Sequence, residues 1–458
     1  KGASIIRMLA DYLGEKDFRD GLRYYLKKHS YKNTETIHLW QAFEKISKKP
    51  VAKMMHNWTS KPGYPVVKAE MIPARHGGKE KINFSQKRFF SSPISEKKDK
   101  IMHSTSSAPT EWEIPITFKQ NKVNFGETGF YRTAYSKELL EKLFQPIQNK
   151  KLSARDRLGV IRDLFALSEA GVIPTTDALE FLKVYKHEDN YTVWLEIAMG
   201  LGRLEQLLAK ENYKENINKI ILELFSPIFE RLSWNKKEKE LHTDILLRSL
   251  VISRLGRSEH ERIIKEAKKK FAKGNIHPDI RGAVYAIVAS WGGMKEYRAL
   301  VARYKKEKLH EEKNRIGSAL GDFRDPKILK LACEFAFSKN VRQQDTIGII
   351  SSVGANPMGR DIWLAFVQKN WKTLVARYGD GGHTLARLVK AISGSAESKH
   401  LKSFKKFFAT HEAPGAKRAI QQVLERLEGN VAWLKRDKKI IARFLIGRNP
   451  LKTLAPLH

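Results

Sequence analysis

From residue 149 onward the sequence is written almost entirely in helical period. Amphipathic runs of roughly 12–18 residues, among them 155–170, 193–208, 243–255, 278–290 and 362–378, alternate with short polar loops. Such a chain can bury its apolar stripes only by stacking helix on helix. The unit length suits antiparallel pairs in an α-solenoid of the HEAT or armadillo type, although no exact repeat is present.

Two shorter regions precede this array. Residues 1–65 are also helical. The spacing of Ile5, Met8, Leu9, Tyr12 and Leu13 gives one apolar face, and the chain starts inside that helix. Asp17 is expected to cap a second helix, whose buried face would be Phe18, Leu22, Tyr25 and Leu26. A third face carries Ile37, Trp40, Phe43 and Ile46, and a fourth helix opens at Pro50 and carries Met54, Met55 and Trp58. Residues 66–148 change character. "YPVVKAEMI", "KINFSQKRFF", "EWEIPITF" and "KVNFGETGFYRTAY" are short alternating runs, rich in β-branched and aromatic residues and separated by Gly, Pro and Ser. They predict a small β-sandwich. The fold class is therefore mostly α: a helical array preceded by a small sandwich and a short helical segment.

Charge and cysteine content narrow the function classes. Lys and Arg number 85 against 50 acids, a net charge of +35. The basic residues are spread along the whole chain and their densest runs, such as 268–270 and 435–439, fall on polar helix faces. No basic motif interleaved with aromatics stands out, so the expectation is a solvated basic surface and no nucleic-acid partner. A free-standing solenoid that binds acidic peptides or nucleic acid on a basic concave face is the alternative. The single cysteine, Cys333, excludes a disulfide framework and a cysteine-based zinc site, and points to a reducing, cytoplasmic setting. The most apolar stretch, near 283–291, is far shorter than the ~20 residues of a membrane span, so no membrane partner is expected.

No catalytic constellation is complete. In the zinc motif H-E-x-x-H, two His at i and i+4 place both imidazoles on one helix face. The chain has four His-Glu pairs, starting at His187, His260, His310 and His411. The residues four positions after each His are Tyr191, Ile264, Asn314 and Gly415, so all four fail. No phosphate-binding loop, dinucleotide fingerprint or serine nucleophile elbow is found. No catalytic residue and no metal ligand is assigned.

The landmarks nevertheless match a family over nearly the whole length. "KGASIIRMLADYLGEKDF", "NWTSKPGYPVV", "GETGFYRTAY", "LSARDRLGVIRDLF", "EEKNRI", "VRQQDT", "NPMGRDIW", "KNWKTLVARYGDGG" and "NVAWLKRD" occur in this order. The chain resembles the M1 zinc aminopeptidases, nearest to the puromycin-sensitive and tricorn-interacting branch. The stretch 407–437 carries most of that placement.

The resemblance implies that residues 1–65 are the tail of a thermolysin-like catalytic domain, 66–148 a sandwich, and 149–458 an ERAP1-like helical cap over a peptide chamber. Relatives have further strands between segments like "IPITF" and "GFYR", so the sandwich should be smaller than usual. The family's zinc helix, its later zinc Glu and its substrate-amine motif lie before the position of Lys1, and its oxyanion-stabilising Tyr just before Lys1-Gly2. Zinc is thus a cofactor of the complete family enzyme and not of this chain. Peptide substrate and a catalytic half, in the same or a separate chain, are the partners implied, and the segment alone is expected to be silent.

The resemblance also nominates residues. The loop "RYGDGGHTLARL" matches one that approaches the cleft, and relatives that prefer acidic residues have Arg at the position matching His383. His383, Arg387 one turn on, and Arg360 are the peptide-channel candidates. Structural roles are expected for the other motif residues. Asp345 should be an N-cap, Asn356-Pro357 a turn, and Arg360 should pair with an acid of a neighbouring helix. Trp363, Trp371 and Tyr378 should be array core. Arg157 and Asp163 should form an inter-helix pair at the junction of sandwich and cap.

Overall fold

The computed structural model describes residues 1–72, 80–102, 111–379, 383–413 and 415–447. The chain divides into two compact units, Lys1–Glu188 and Asp189–His458. Most of the described residues are helical.

The first unit opens with four helices, α1 (Gly2–Leu13), α2 (Glu15–Lys28), α3 (Thr36–Ser47) and α4 (Val51–Ser60). Their common core takes Ile5, Met8, Leu9 and Leu13 from α1, Trp40 and Phe43 from α3, and Met54, Met55 and Trp58 from α4. These are the apolar positions of the helical period, removed from water as such faces must be. Three local expectations differ. α2 is capped by Gly14 and not by Asp17, because the chain turns at a positive φ of 86° that glycine accommodates. Leu26 and Ile37 remain exposed, at the outer edges of their helices.

A sheet follows. β1 (Pro65–Ile72) pairs antiparallel with β2 (Lys81–Arg88), from Pro65 opposite Arg88 to Ile72 opposite Lys81. Helix α5 (Pro93–Met102) comes next. β3 (Phe118–Lys119) and β4 (Lys122–Val123) form a separate two-residue ladder. β5 (Arg132–Tyr135) returns to lie parallel to β1, giving the sheet order β2-β1-β5. Residues 111–117, whose alternation reads as a strand, make no ladder. Side chains bracket their backbone instead. Gln86 donates to the carbonyl of Trp112 and accepts from its N–H, Asn57 does the same for Glu111 and Glu113, and Trp58 Nε1 donates to Glu113 O at 2.9 Å. Extended backbone is satisfied here without a neighbouring strand. The unit ends with α6 (Lys137–Glu141), α7 (Phe144–Gln148), α8 (Ala154–Ala170) and α9 (Thr175–Phe181).

The second unit is helical throughout its described residues. Its elements are α10 (Tyr191–Leu207), α11 (Glu215–Leu232), α12 (His242–Arg257), α13 (Glu261–Lys273), α14 (Arg281–Ser290), α15 (Met294–Lys306) and α16 (His310–Ala319). α17 (Pro326–Ala336), α18 (Gln343–Ala355), α19 (Arg360–Lys369), α20 (Trp371–Tyr378), α21 (Thr384–Val389), α22 (Ser398–Phe408) and α23 (Lys417–Gly447) complete it.

α10, α12, α14, α16 and α18 pack one on the next, while α11, α13, α15 and α17 each pack on the helix that follows. α14 is buried continuously from Ala283 to Ser290, on every side of the helix. The row then meets its own beginning. The 3-10 turn Lys390–Gly394 packs on α18, α10 and α23, and α23 packs on α11.

Glycines set the closest approaches in this row. A Cβ at Gly256 would stand 2.4 Å from Ile287, and one at Gly317 would stand 2.9 Å from Ile349. Gly256→Ala is therefore expected to overpack the α12–α14 contact and lower unfolding free energy by about 1–3 kcal/mol, measured by urea denaturation followed by circular dichroism.

Candidate functional site

The candidate residues fall into three settings. In the first unit, α8 carries a buried ionic face. Arg157 donates through Nε and Nη2 to both oxygens of Glu188, at 2.6 and 2.8 Å, and through Nη1 to Leu152 O. Asp163 accepts from Arg132 Nη1 at 2.9 Å and from the N–H of Thr133 at 2.8 Å. The expected Arg157–Asp163 pair is corrected. Six residues apart on one helix, the two point to different sides, and each finds its own partner.

Beside them lies a cluster that the motif search missed. Lys122, 1 % exposed, donates to Glu127 Oε1 at 2.6 Å and to two carbonyls, and Arg162 holds the other Glu127 oxygen. Burial raises the Glu127 carboxyl above its ordinary range, while Lys122 opposes that shift. The only sequence signal was "FGETGFYR" itself, a loop with two glycines around an acid.

The second setting is a cavity of about 180 Å³ in the second unit, walled by α15, α16, α18 and α21. Arg387 and Asp345 both line it, with Tyr304 and Lys313. Asp345 is corrected as an N-cap. The cap position is Arg342, whose backbone is extended, and Asp345 sits one turn in, where Arg342 Nε and Nη2 grip its carboxylate at 2.7 and 3.2 Å. His383 is exposed at the start of α21, and its carbonyl accepts from the N–H of Arg387 at 2.8 Å. Part of its loop, residues 380–382, lies outside the described residues.

The third setting is the place where the helical row meets its start. Arg360, 1 % exposed, donates Nη2 to Gln206 Oε1, and its Nε has no hydrogen-bond partner among the described residues. Among the described residues no acid stands within ion-pair distance of Arg360, so the expected pairing is replaced by an amide. Burial pushes the guanidinium down to about 10, partly offset by Glu397, which leaves it charged at neutral pH. A second cavity of about 430 Å³, lined by Gln206, Gly394, Asn430 and Trp433 among others, lies at this seam. Trp371 is buried against Phe407 and Phe408 and donates to Glu412 O. Trp363 and Tyr378 are buried too, and Asn356 closes its turn by accepting from the N–H of Met358.

One arrangement resembles a nucleophile relay. Ser395 Oγ lies 2.7 Å from His400 Nδ1, and His400 Nε2 lies 2.9 Å from Asp361 Oδ1. Ser395 and His400 are sealed in the interior, and the hydroxyl is engaged by the N–H of Glu397. The relay ties α22 to α19 and offers no substrate access. A zinc site needs at least three converging donors. Among the described residues no three His, Cys, Asp or Glu side chains converge in that way, so they do not fit the metal, and no step is derived through it. Burial raises the Cys333 thiol to about 12, which makes it inert. No helix among the described residues is long and apolar enough to cross a membrane.

The fold thus defines a predominantly helical domain that follows a small sheet and a helical lead-in. Family models match in that order: the peptidase family M1 domain over residues 1–58, and the ERAP1-like C-terminal domain over residues 121–429. The chain belongs to the M1 aminopeptidase family. It is 31% identical to "Aminopeptidase M1" of Arabidopsis thaliana, across 96% of this chain and 54% of the relative. It is 29% identical to "Aminopeptidase 2" of Candida albicans (97% and 50%) and 28% identical to "Puromycin-sensitive aminopeptidase" of Caenorhabditis elegans (97% and 50%). The chain spans about half the length of these curated relatives.

Buried Arg157 and Arg360 predict opposite outcomes. Arg157→Met removes two hydrogen bonds and the opposite charge from the buried Glu188 carboxylate and is expected to cost about 3–5 kcal/mol, whereas Arg360→Met removes a cation without an acid partner among the described residues and should stay within about 1 kcal/mol of the parent. Equilibrium unfolding of both variants checks the contrast.

Proposed function

We propose that residues 1–458 are the C-terminal part of a zinc metalloaminopeptidase that removes N-terminal residues from peptides. In this reading residues 1–65 complete the catalytic domain and 66–148 form a reduced sandwich. Residues 149–458 form the cap and the wall of a peptide chamber. The observation that carries it is the order of the two family matches along one chain, with M1 peptidase sequence first and ERAP1-like C-terminal sequence after it. The names of the relatives, all aminopeptidases, support the same activity. The successive packing of α12, α14, α16 and α18, each backed by a partner helix, supports a solenoid whose ends are drawn together.

The chemistry divides accordingly. Zinc ligands, general base and oxyanion-stabilising tyrosine are contributed from outside residues 1–458, because no H-E-x-x-H occurs within them. Exposed Arg387 and His383 are the peptide-side groups, while buried Arg360 acts on the chamber only through Gln206. The cytoplasm is the setting that fits this branch and the lone, buried cysteine.

Purified residues 1–458 are expected to leave aminoacyl fluorogenic substrates uncleaved and to carry no stoichiometric zinc by elemental analysis. Turnover accompanied by one bound zinc per chain overturns this division of labour.

A further inference from the structure

Two connections in the second unit carry almost the same sequence. Residues 236–242 read "KKEKELH" and residues 305–310 read "KKEKLH". The first joins α11 to α12, and the second runs from the last turn of α15 into α16. Each pair of helices is packed together and joined by a short loop, which makes it an antiparallel hairpin. α12, α14 and α16 pack in succession, so the two connections fall on one edge of the row, about 20 Å apart. In both, a leucine is the last residue before the inner helix. Leu241 and Leu309 have extended backbone there, make no capping hydrogen bond, and are 69% and 67% exposed. Ser, Thr, Asp or Asn would cap these helices, and a leucine in water adds nothing to the core. The nearby acids are mostly turned away. Glu307 accepts from the N–H groups of Lys308 and Leu309 at 2.8 and 3.0 Å, and Glu240 pairs with buried Arg248, while Glu238 stays exposed. Lys236, Lys239, Lys305, Lys306 and Lys308 are exposed, and among the described residues none has a carboxylate within ion-pair distance.

We propose that this edge docks on an anionic lipid surface, with Leu241 and Leu309 entering the headgroup layer and the flanking lysines facing the lipid anions. Each leucine stands alone among cations. A protein partner would need a contiguous apolar centre seated in a pocket, and a nucleic-acid backbone offers a leucine side chain no apolar surface. A bilayer interface takes separate apolar anchors and a field of lysines together. Such a contact is peripheral and needs no spanning helix, in keeping with the absence of one among the described residues. The edge lies within the second unit and does not depend on the aminopeptidase reading, so either can fail alone.

Vesicle co-sedimentation of residues 1–458 tests it, with phosphatidylcholine alone and with about 30% phosphatidylserine added, at about 100 mM salt. Binding is expected to be at least about tenfold tighter to the anionic vesicles. Leu241→Ser combined with Leu309→Ser should weaken it about tenfold, and the melting curve should not fall, because serine is the better cap. Lys305→Ala, Lys306→Ala and Lys308→Ala together should also weaken it about tenfold. Lys402→Ala, Lys405→Ala and Lys406→Ala, exposed on α22, remove the same charge and should change it less than about twofold. No preference for anionic vesicles, an equal loss in the α22 variant, or binding unchanged by the leucine pair overturns the proposal. An RNA duplex that binds more tightly than the vesicles, and is released by the α15 lysine variant but not by the leucine variant, assigns the edge to nucleic acid and overturns it too.

Discussion

The buried ammonium of Lys122 dictates much of the first unit. At 1 % exposure it must spend all three of its protons inside the protein, and it does so on Glu127, Val123 O and Asn124 O. Glu127 must therefore come inside as well. It does so with a backbone φ of 53°, a conformation that a side-chain-bearing residue holds only when its surroundings insist. Its carboxylate occupies the space where a Cβ at Gly159 would stand, 2.0 Å away. That explains a glycine in the middle of α8, where it costs about 1 kcal/mol relative to alanine. With α8 drawn this close, Asp163 reaches the N–H of Thr133 and Arg132, and β5 is fixed beside β1. One buried cation thus links a loop, a helix and a parallel strand pairing.

The second unit solves a different problem. A row of paired helices has two ends, and each exposes an apolar face that must be covered. Here the last helices cover the first. α23, 31 residues long, packs on α11, and the turn Lys390–Gly394 packs on α10 and α18. The seam also carries a hydrogen bond from Tyr213 to Lys438 O at 3.1 Å. Gly394 is small because Arg360 and Gln206 meet there. A Cβ would stand 3.3 Å from the guanidinium and 3.2 Å from the amide. An amide partner leaves the guanidinium charge uncompensated, so this contact gives register and little stability.

What could be read in the sequence follows the range of the forces involved. Helix faces such as Ile5–Met8–Leu9 and Trp40–Phe43 obey a period set within one turn, and they appear in the core as read. The strand reading of 111–117 failed because alternation reports exposure, not pairing. Whether Gln86 and Asn57 lie near enough to satisfy that backbone depends on how α4 and β2 are placed. The partner of Arg157 is 31 residues away and equally non-local. The separation of Arg157 from Asp163 was legible, since an i to i+6 spacing cannot bring two side chains together on a helix. Asp345 was a matter of a single turn. It has the right chemistry for the start of α18, but its carboxylate prefers the guanidinium at i−3 to the backbone. The cavity itself had no linear signature, because its walls come from four helices.

Net charge is a poor guide to which cations shape the fold. With 85 basic residues, most cations on this chain stand in water, where screening leaves each nearly independent of its neighbours. Ion pairs there, such as Lys399 with Asp361, need no further partner. Lys122 and Arg157 differ because they are held out of water, each against a carboxylate that is buried with it, Glu127 and Glu188. The charges that shape this chain are these few desolvated ones, and the net charge reports the many that do not.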